Sequence, residues 1–281
     1  MESAAGPDTA QRSLAHWSAD GRAEMDAFYA LAIEDYRQLV LAADWQSVFT
    51  GQAAEDWKLL DVACGSGKFP ATLLRHADLS GLPPLRYDLL DPSAFSVAEA
   101  KTQLAPPFVA GRELVTDLQS FRPEGDSSGA GADVGYDLVI AVHALYALPP
   151  DQLPVAAERL VAVKRPGGVG VVAQATARSH YLAFYDAYRA GVRSATPYTT
   201  AEQVRDALVA AGADVREQRV TYTTGTDDRN VAEGFLQRCA FDDTITLPAM
   251  EQAPVLGDYL AGCRTAKGGY RFSHEAALLW F

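Results

Sequence analysis

One stretch constrains this chain more than any other. In Leu59-Leu60-Asp61-Val62-Ala63-Cys64-Gly65-Ser66-Gly67-Lys68 an apolar strand runs directly into an acidic, glycine-rich turn and then a helix. Small residues at Ala63, Gly65 and Gly67 let the backbone turn sharply and come close to a ligand, while Asp61 supplies a charge at the carboxyl end of the strand. Glycine turns also serve as plain strand-to-helix connections, so the turn alone does not decide the matter. The sequel does more. Leu85-Arg86-Tyr87-Asp88-Leu89-Leu90-Asp91-Pro92-Ser93 reads as a second strand ending in a carboxylate just before another helix, where an acid suits a ribose diol.

Alternation of strand and helix continues from there. Strands are expected near 57–63, 85–91, 112–116, 137–143 and 168–174, with helices near 67–77, 94–104 and 151–164, a spacing that argues for a parallel sheet with right-handed crossovers. Before them, Met25, Phe28, Tyr29, Ala32, Ile33, Tyr36, Leu39 and Val40 recur at three- and four-residue spacing and predict one helix from Arg22 to Phe49. Residues 1–20 read as a loosely ordered tail despite Trp17, and the turn-rich run 123–132 as an exposed loop. Later pieces are an amphipathic segment Ser179 to Gly191, a capped helix Thr199 to Gly212, a strand Val215 to Tyr222, and helices at 231–240 and 248–262. A last strand, Tyr270 to Phe281, completes seven. The fold expected is α/β, a Rossmann-like, mostly parallel seven-stranded sheet with helices on both faces. Residues 1–50 form a tail and helical lid, 51–178 the ligand-binding core, and 179–281 a small substrate-side insertion and the completion of the sheet.

Composition narrows the function. A chain of 281 residues, 48% hydrophobic, can bury a full core. Its net charge of −12 opposes the basic footprint that nucleic acid requires, and no 18-residue apolar run or basic leader is visible, which points to a cytoplasmic protein. Cys64, Cys239 and Cys263 are widely spaced and odd in number, so free thiols and no metal site are expected.

The turn resembles that of the class I S-adenosylmethionine (SAM) methyltransferases, whose pattern D-x-G-x-G-x-G appears here as Asp61-x-Ala63-x-Gly65-x-Gly67, with Ala in place of the first Gly. A NAD-type G-x-G-x-x-G would need glycine where Pro70 stands, which disfavours an oxidoreductase. The resemblance implies that Asp61 and the Gly65–Gly67 turn hold the methionine part of SAM, Asp91 the ribose, and Asp117 and Leu118 the adenine, with Ala63, Pro92, Ser93 and His143 also among the cofactor-binding residues. SAH would be the product. Val142-His143-Ala144-Leu145-Tyr146, the segment Glu233 to Phe241 and Arg271-Phe272-Ser273-His274 narrow the likeness to the histamine N-methyltransferase group. That group carries two amides facing the acceptor where this chain has His143 and His274. An imidazole can take a proton where an amide only orients, so both histidines are candidate bases, with Glu34 or Asp35 as carboxylate alternatives.

Trp17, Tyr29, Tyr36, Tyr146, Tyr181, Phe184 and Tyr185 supply aromatics for a pocket, of which Trp17, Tyr29, Tyr36, Tyr146 and Tyr185 are the candidate acceptor contacts. The function expected is methyl transfer to a nitrogen or electron-rich carbon of a small aromatic heterocycle of a natural product, indole or imidazole in type, by a monomer or homodimer. A SAM-binding partner module without turnover stays open as the rival.

Overall fold

The strand Tyr136–Val142 is buried along its whole length, so it needs cover on both faces, and a parallel sheet with helices on each side provides it. The computed structural model describes residues 9–17, 22–50, 57–122 and 135–281. In chain order the elements are α1 (Thr9–His16), α2 (Arg22–Leu41), α3 (Trp45–Thr50), β1 (Lys58–Val62), α4 (Lys68–His76), β2 (Leu85–Asp91), α5 (Ala94–Thr102), β3 (Phe108–Val115), β4 (Tyr136–Val142), α6 (Leu153–Val163), β5 (Lys164–Ala175), α7 (His180–Gly191), α8 (Ala201–Ala210), β6 (Arg216–Thr226), α9 (Arg229–Ala240), α10 (Leu247–Gln252), α11 (Leu256–Cys263) and β7 (Tyr270–Trp280). They form one sheet ordered β3-β2-β1-β4-β5-β7-β6, in which β7 runs antiparallel to both neighbours and the other pairings are parallel. The strand order reverses between β1 and β4, and ligands of such sheets bind outside the carboxyl ends at that reversal.

Side chains of alternate strand positions separate the core into two layers. Leu59, Tyr87, Leu138 and Ile140 pack with Trp45, Phe49 and Phe69 on one face; Leu60, Leu90, Val139 and Ala141 pack with α6 and α8 on the other. A third cluster joins α2, α7, α9, α10 and α11 through Phe184, Phe235, Leu236 and Phe272, placing a helical body over one end of the sheet. Among the described residues no helix is long and apolar enough to cross a membrane.

Several expectations shift. The tail is helical over Thr9–His16, anchored by the buried Arg12, whose guanidinium donates to the Ala240 carbonyl at 3.0 Å and the Tyr185 hydroxyl at 2.6 Å. The single helix to Phe49 breaks after Leu41 because Asp44 accepts from both the backbone N–H and the hydroxyl of Ser47 and starts a new helix there. The helix expected over 248–262 divides at Pro254, which forces the preceding Ala253 into an extended conformation. Strand β6 runs four residues past Tyr222, paired with β7 throughout; its exposed, threonine-rich edge carries little apolar signal. The loop expected at 123–132 lies outside the described residues.

Candidate active site

Three elements meet at the carboxyl ends of β1, β2 and β4. The turn after β1 places Ala63, Gly65 and Gly67 at φ of 53°, 52° and 74°, so the alanine occupies a left-handed position that glycine would adopt without strain. At Gly67 no other residue fits, because a Cβ would lie 2.7 Å from the backbone Cα of Ala100 on α5. At Gly65 the reverse holds: a Cβ there would meet nothing within 4 Å, and that open space belongs to a large cavity.

Two buried acids form the floor. Asp61 accepts a 2.8 Å bond from the Tyr87 hydroxyl, and burial, reinforced by the nearby Asp91 charge, pushes its carboxyl up to about 7 against that bond. Asp91 accepts from the Gly65 N–H at 3.0 Å and the Ser93 N–H at 2.8 Å, and burial outweighs both bonds to raise it as well. Ser93 caps α5 through Ser96 and reaches the Trp17 carbonyl at 3.2 Å, tying the end of α1 to the acid side of the site. Asp117 and Pro92 line the same cavity; Asp117 is exposed and bonded to the backbone and hydroxyl of Ser120 at 2.7 and 2.9 Å. Leu118 does not line it, because its side chain is buried in the core beneath α6.

The cavity measures about 820 Å³, toward the upper end of the ~300–1,000 Å³ usual for small-molecule sites. Much of its wall is aromatic, with Trp17, Phe28, Tyr29, Tyr36, Tyr146 and Tyr181. Tyr146 takes a 3.0 Å bond from the Trp17 indole and shares one of 2.8 Å with Ser13, while burial lifts its phenol to about 12. Lys68 lies 4.8 Å over the Tyr29 ring, close enough for cation–π attraction.

His143 stands where β4 ends, at a φ of 49° that an L-residue holds only under local strain, and its ring lines the cavity. Its Nε2 is 2.7 Å from an Asp35 carboxylate oxygen. Asp35 is buried on α2; burial works to raise it, but the charge and contact of His143, with Tyr222 and His274, outweigh that and hold it below the ordinary carboxylate range. Glu34, by contrast, is spent on Arg37 and Gln38 at 2.9 and 2.6 Å.

Besides Leu118, two more expected site residues are elsewhere. His274 does not face the cavity: it is buried, stacked 4.7 Å from Tyr222 and 4.8 Å from Tyr181, with Nε2 at 2.9 Å from Thr224, and burial lowers it to about 4. Strand alternation turns it inward behind Tyr181, which takes its place in the wall. Tyr185 is likewise core, stacked 3.7 Å on Tyr198 with its hydroxyl held by Arg12 and Thr9. Sequence reasoning also passed over Arg238, buried in the cavity wall with its guanidinium 5.4 Å from the Trp17 ring and donating to the His16 carbonyl at 2.9 Å. Its only sequence signal was a charge among the apolar positions of α9.

Residues 60–169 match a family model described as a methyltransferase domain. The chain carries a SAM-dependent methyltransferase domain. No curated protein matches the chain. Solved structures similar to it include a putative methyltransferase from Bacillus halodurans, 12% identical over 88% of this chain and 96% of that one, with a TM-score of 0.51. The YcgJ protein of Bacillus subtilis is 10% identical over 88% and 97%, with a TM-score of 0.54. Magnesium protoporphyrin IX methyltransferase from Synechocystis, solved with SAH, is 12% identical over 95% and 98%, at 0.53. At such identities these likenesses show the fold.

The residues of this methyltransferase domain fit SAM. The cofactor is a cation, and the cavity floor offers two buried carboxylates whose negative charge burial disfavours until a positive group arrives. Gly65 leaves the space that a close-lying ligand needs.

Proposed function

We propose that the chain moves the SAM methyl group to a nitrogen or electron-rich carbon of a small aromatic heterocycle, indole or imidazole in type, including C3 of a tryptophan-derived compound. One observation carries this reading: a single cavity joins the acid and glycine floor to a wall of tyrosines and a tryptophan, with His143 between them. Bound SAM supplies an electrophilic methyl on a good leaving group, so the protein's work is to hold, orient and keep water out. Asp61 and the Gly65–Gly67 turn would hold the methionine portion, Asp91 the ribose and Asp117 the adenine end. Trp17, Tyr29, Tyr36 and Tyr146 offer ring faces to a flat acceptor, and His143 is a proton acceptor at its edge. Residues 1–50 serve as the lid in this scheme, 51–178 as the cofactor core and 179–281 as the substrate side. The likeness to the histamine N-methyltransferase group supports an amine or ring-nitrogen chemistry through position 143, while the buried His274 gives it no support at the second position.

Calorimetry tests the cofactor assignment. SAH should bind the wild-type chain, and Asp91→Ala should weaken it by about 1.5–3 kcal/mol, the worth of a hydrogen bond to a charged group. An unchanged affinity in a folded Asp91→Ala protein would contradict the ribose role.

A further inference from the structure

Resting on the reading above, we infer that Asp35 and His143 form a dyad in which Asp35 fixes the proton on Nε2 and leaves Nδ1 bare toward the cavity, as the acceptor of a ring N–H proton. Three observations carry this. Nε2 and the Asp35 oxygen are 2.7 Å apart, close enough for the carboxylate charge to favour a proton on Nε2 over one on Nδ1. The approach is off the line of the ring N–H, which makes it a close charge contact rather than a straight hydrogen bond. Asp35 is buried and held below the usual carboxylate range, so it is the ionised, proton-accepting partner. Finally, Nδ1 makes no hydrogen bond among the described residues and is not among the buried unpartnered atoms, although the ring lines the cavity.

The surroundings determine what the dyad can do. Facing His143 are Asp35 and Tyr36 from α2, Tyr181 from α7 and His274 from β7, with Tyr222 of β6 bonded to Asp35. Burial raises the three tyrosines well above their ordinary values and lowers His274, so these neighbours stay neutral near pH 7 and, among the described residues facing the ring, Asp35 is the ionised one. When the acceptor's carbon or nitrogen takes the methyl group, its ring N–H proton bonds to Nδ1, the N–H electron pair returns to the ring, and SAH departs neutral. The single positive charge that SAM brought ends on the imidazole, next to the Asp35 carboxylate, and leaves as a proton to water. A general base of this kind contributes typically ~10²- to 10⁴-fold in rate. The acceptor class thereby narrows to heterocycles with a ring N–H, and Asp35 becomes a positioning residue contributed by the lid helix.

Long-range ¹H–¹⁵N spectra of protein labelled at histidine test this without cofactor or acceptor, so the dyad can fail while SAH binding succeeds, and the reverse. His143→Gln assigns the signals. In the wild-type chain Nε2 should carry the proton and Nδ1 be bare at neutral pH. In Asp35→Ala, checked for folding by circular dichroism, the preference for Nε2 should be lost and a ring population protonated on Nδ1 should appear. A proton on Nδ1 in the wild-type chain would overturn the proposal, and so would a tautomer that Asp35→Ala leaves unchanged. The wild-type measurement decides the tautomer even if the variant does not fold.

Discussion

Among the described residues Asp61 has no cationic side chain bonded to it, only a hydroxyl, and burial holds it near the midpoint of its titration at neutral pH. Its carboxyl lies above the unfolded value, so the folded protein is relieved of the charge at acid pH and loses stability as pH rises from about 4 through about 7. Asp61→Asn keeps an oxygen for the Tyr87 hydroxyl and discards the desolvated charge. The ligand-free variant should therefore melt at a higher temperature than the wild type at pH 8, with the difference shrinking toward pH 5, while SAM binding is lost. Thermal melts at the two pH values check this, and a variant less stable at pH 8 would show that the charge has a stabilising partner. Such an exchange of stability for function is common where a site stores an unfavourable charge. His143 follows the same logic in its backbone, held at a positive φ at the edge of the cavity.

At the scale of elements, the N-terminal helices decide how closed the site is. Ala10, Ser13, Leu14 and Trp17 on or after α1, with Phe28, Tyr29, Ala32, Asp35 and Tyr36 on α2, line the cavity. If they close over bound cofactor, SAH should slow amide hydrogen exchange in residues 9–17 and 25–40 as well as in the glycine turn. Protection confined to the turn would make α1 and α2 fixed scaffold. The sheet was legible because its signals are local: an apolar run, a turn residue and a cap each lie within a few positions, as at Asp61 to Gly67 or at Thr200, which caps α8 with Gln203. The acid and glycine half of the site was legible for the same reason. Asp35 entered only as an alternative beside Glu34 because its significance is non-local; on α2 it is one of two adjacent acids, and only the fold brings His143 to it across more than a hundred residues. His274 and Tyr185 misled by composition, since a ring suited to a pocket is equally suited to a core, and neighbouring strands and helices decide which it becomes.

The whole molecule is a doubly wound sheet whose reversal point carries an acid and glycine floor, roofed by a helical body rich in aromatic rings. In the proposed reading the floor receives the cationic cofactor and the roof a flat ring, with Asp35 and His143 lining the same cavity. That division predicts what the molecule turns over as well as what it binds. The decisive measurement is incubation of the wild-type chain with SAM carrying a ¹³C-methyl group and a panel of indoles, imidazoles, amines and phenols, read by ¹³C NMR and by SAH formation. The account predicts label on a ring carbon or nitrogen of an N–H heterocycle, with SAH formed in equal amount. Label confined to phenolic oxygens, or tight SAM binding with no labelled product across the panel, would contradict it.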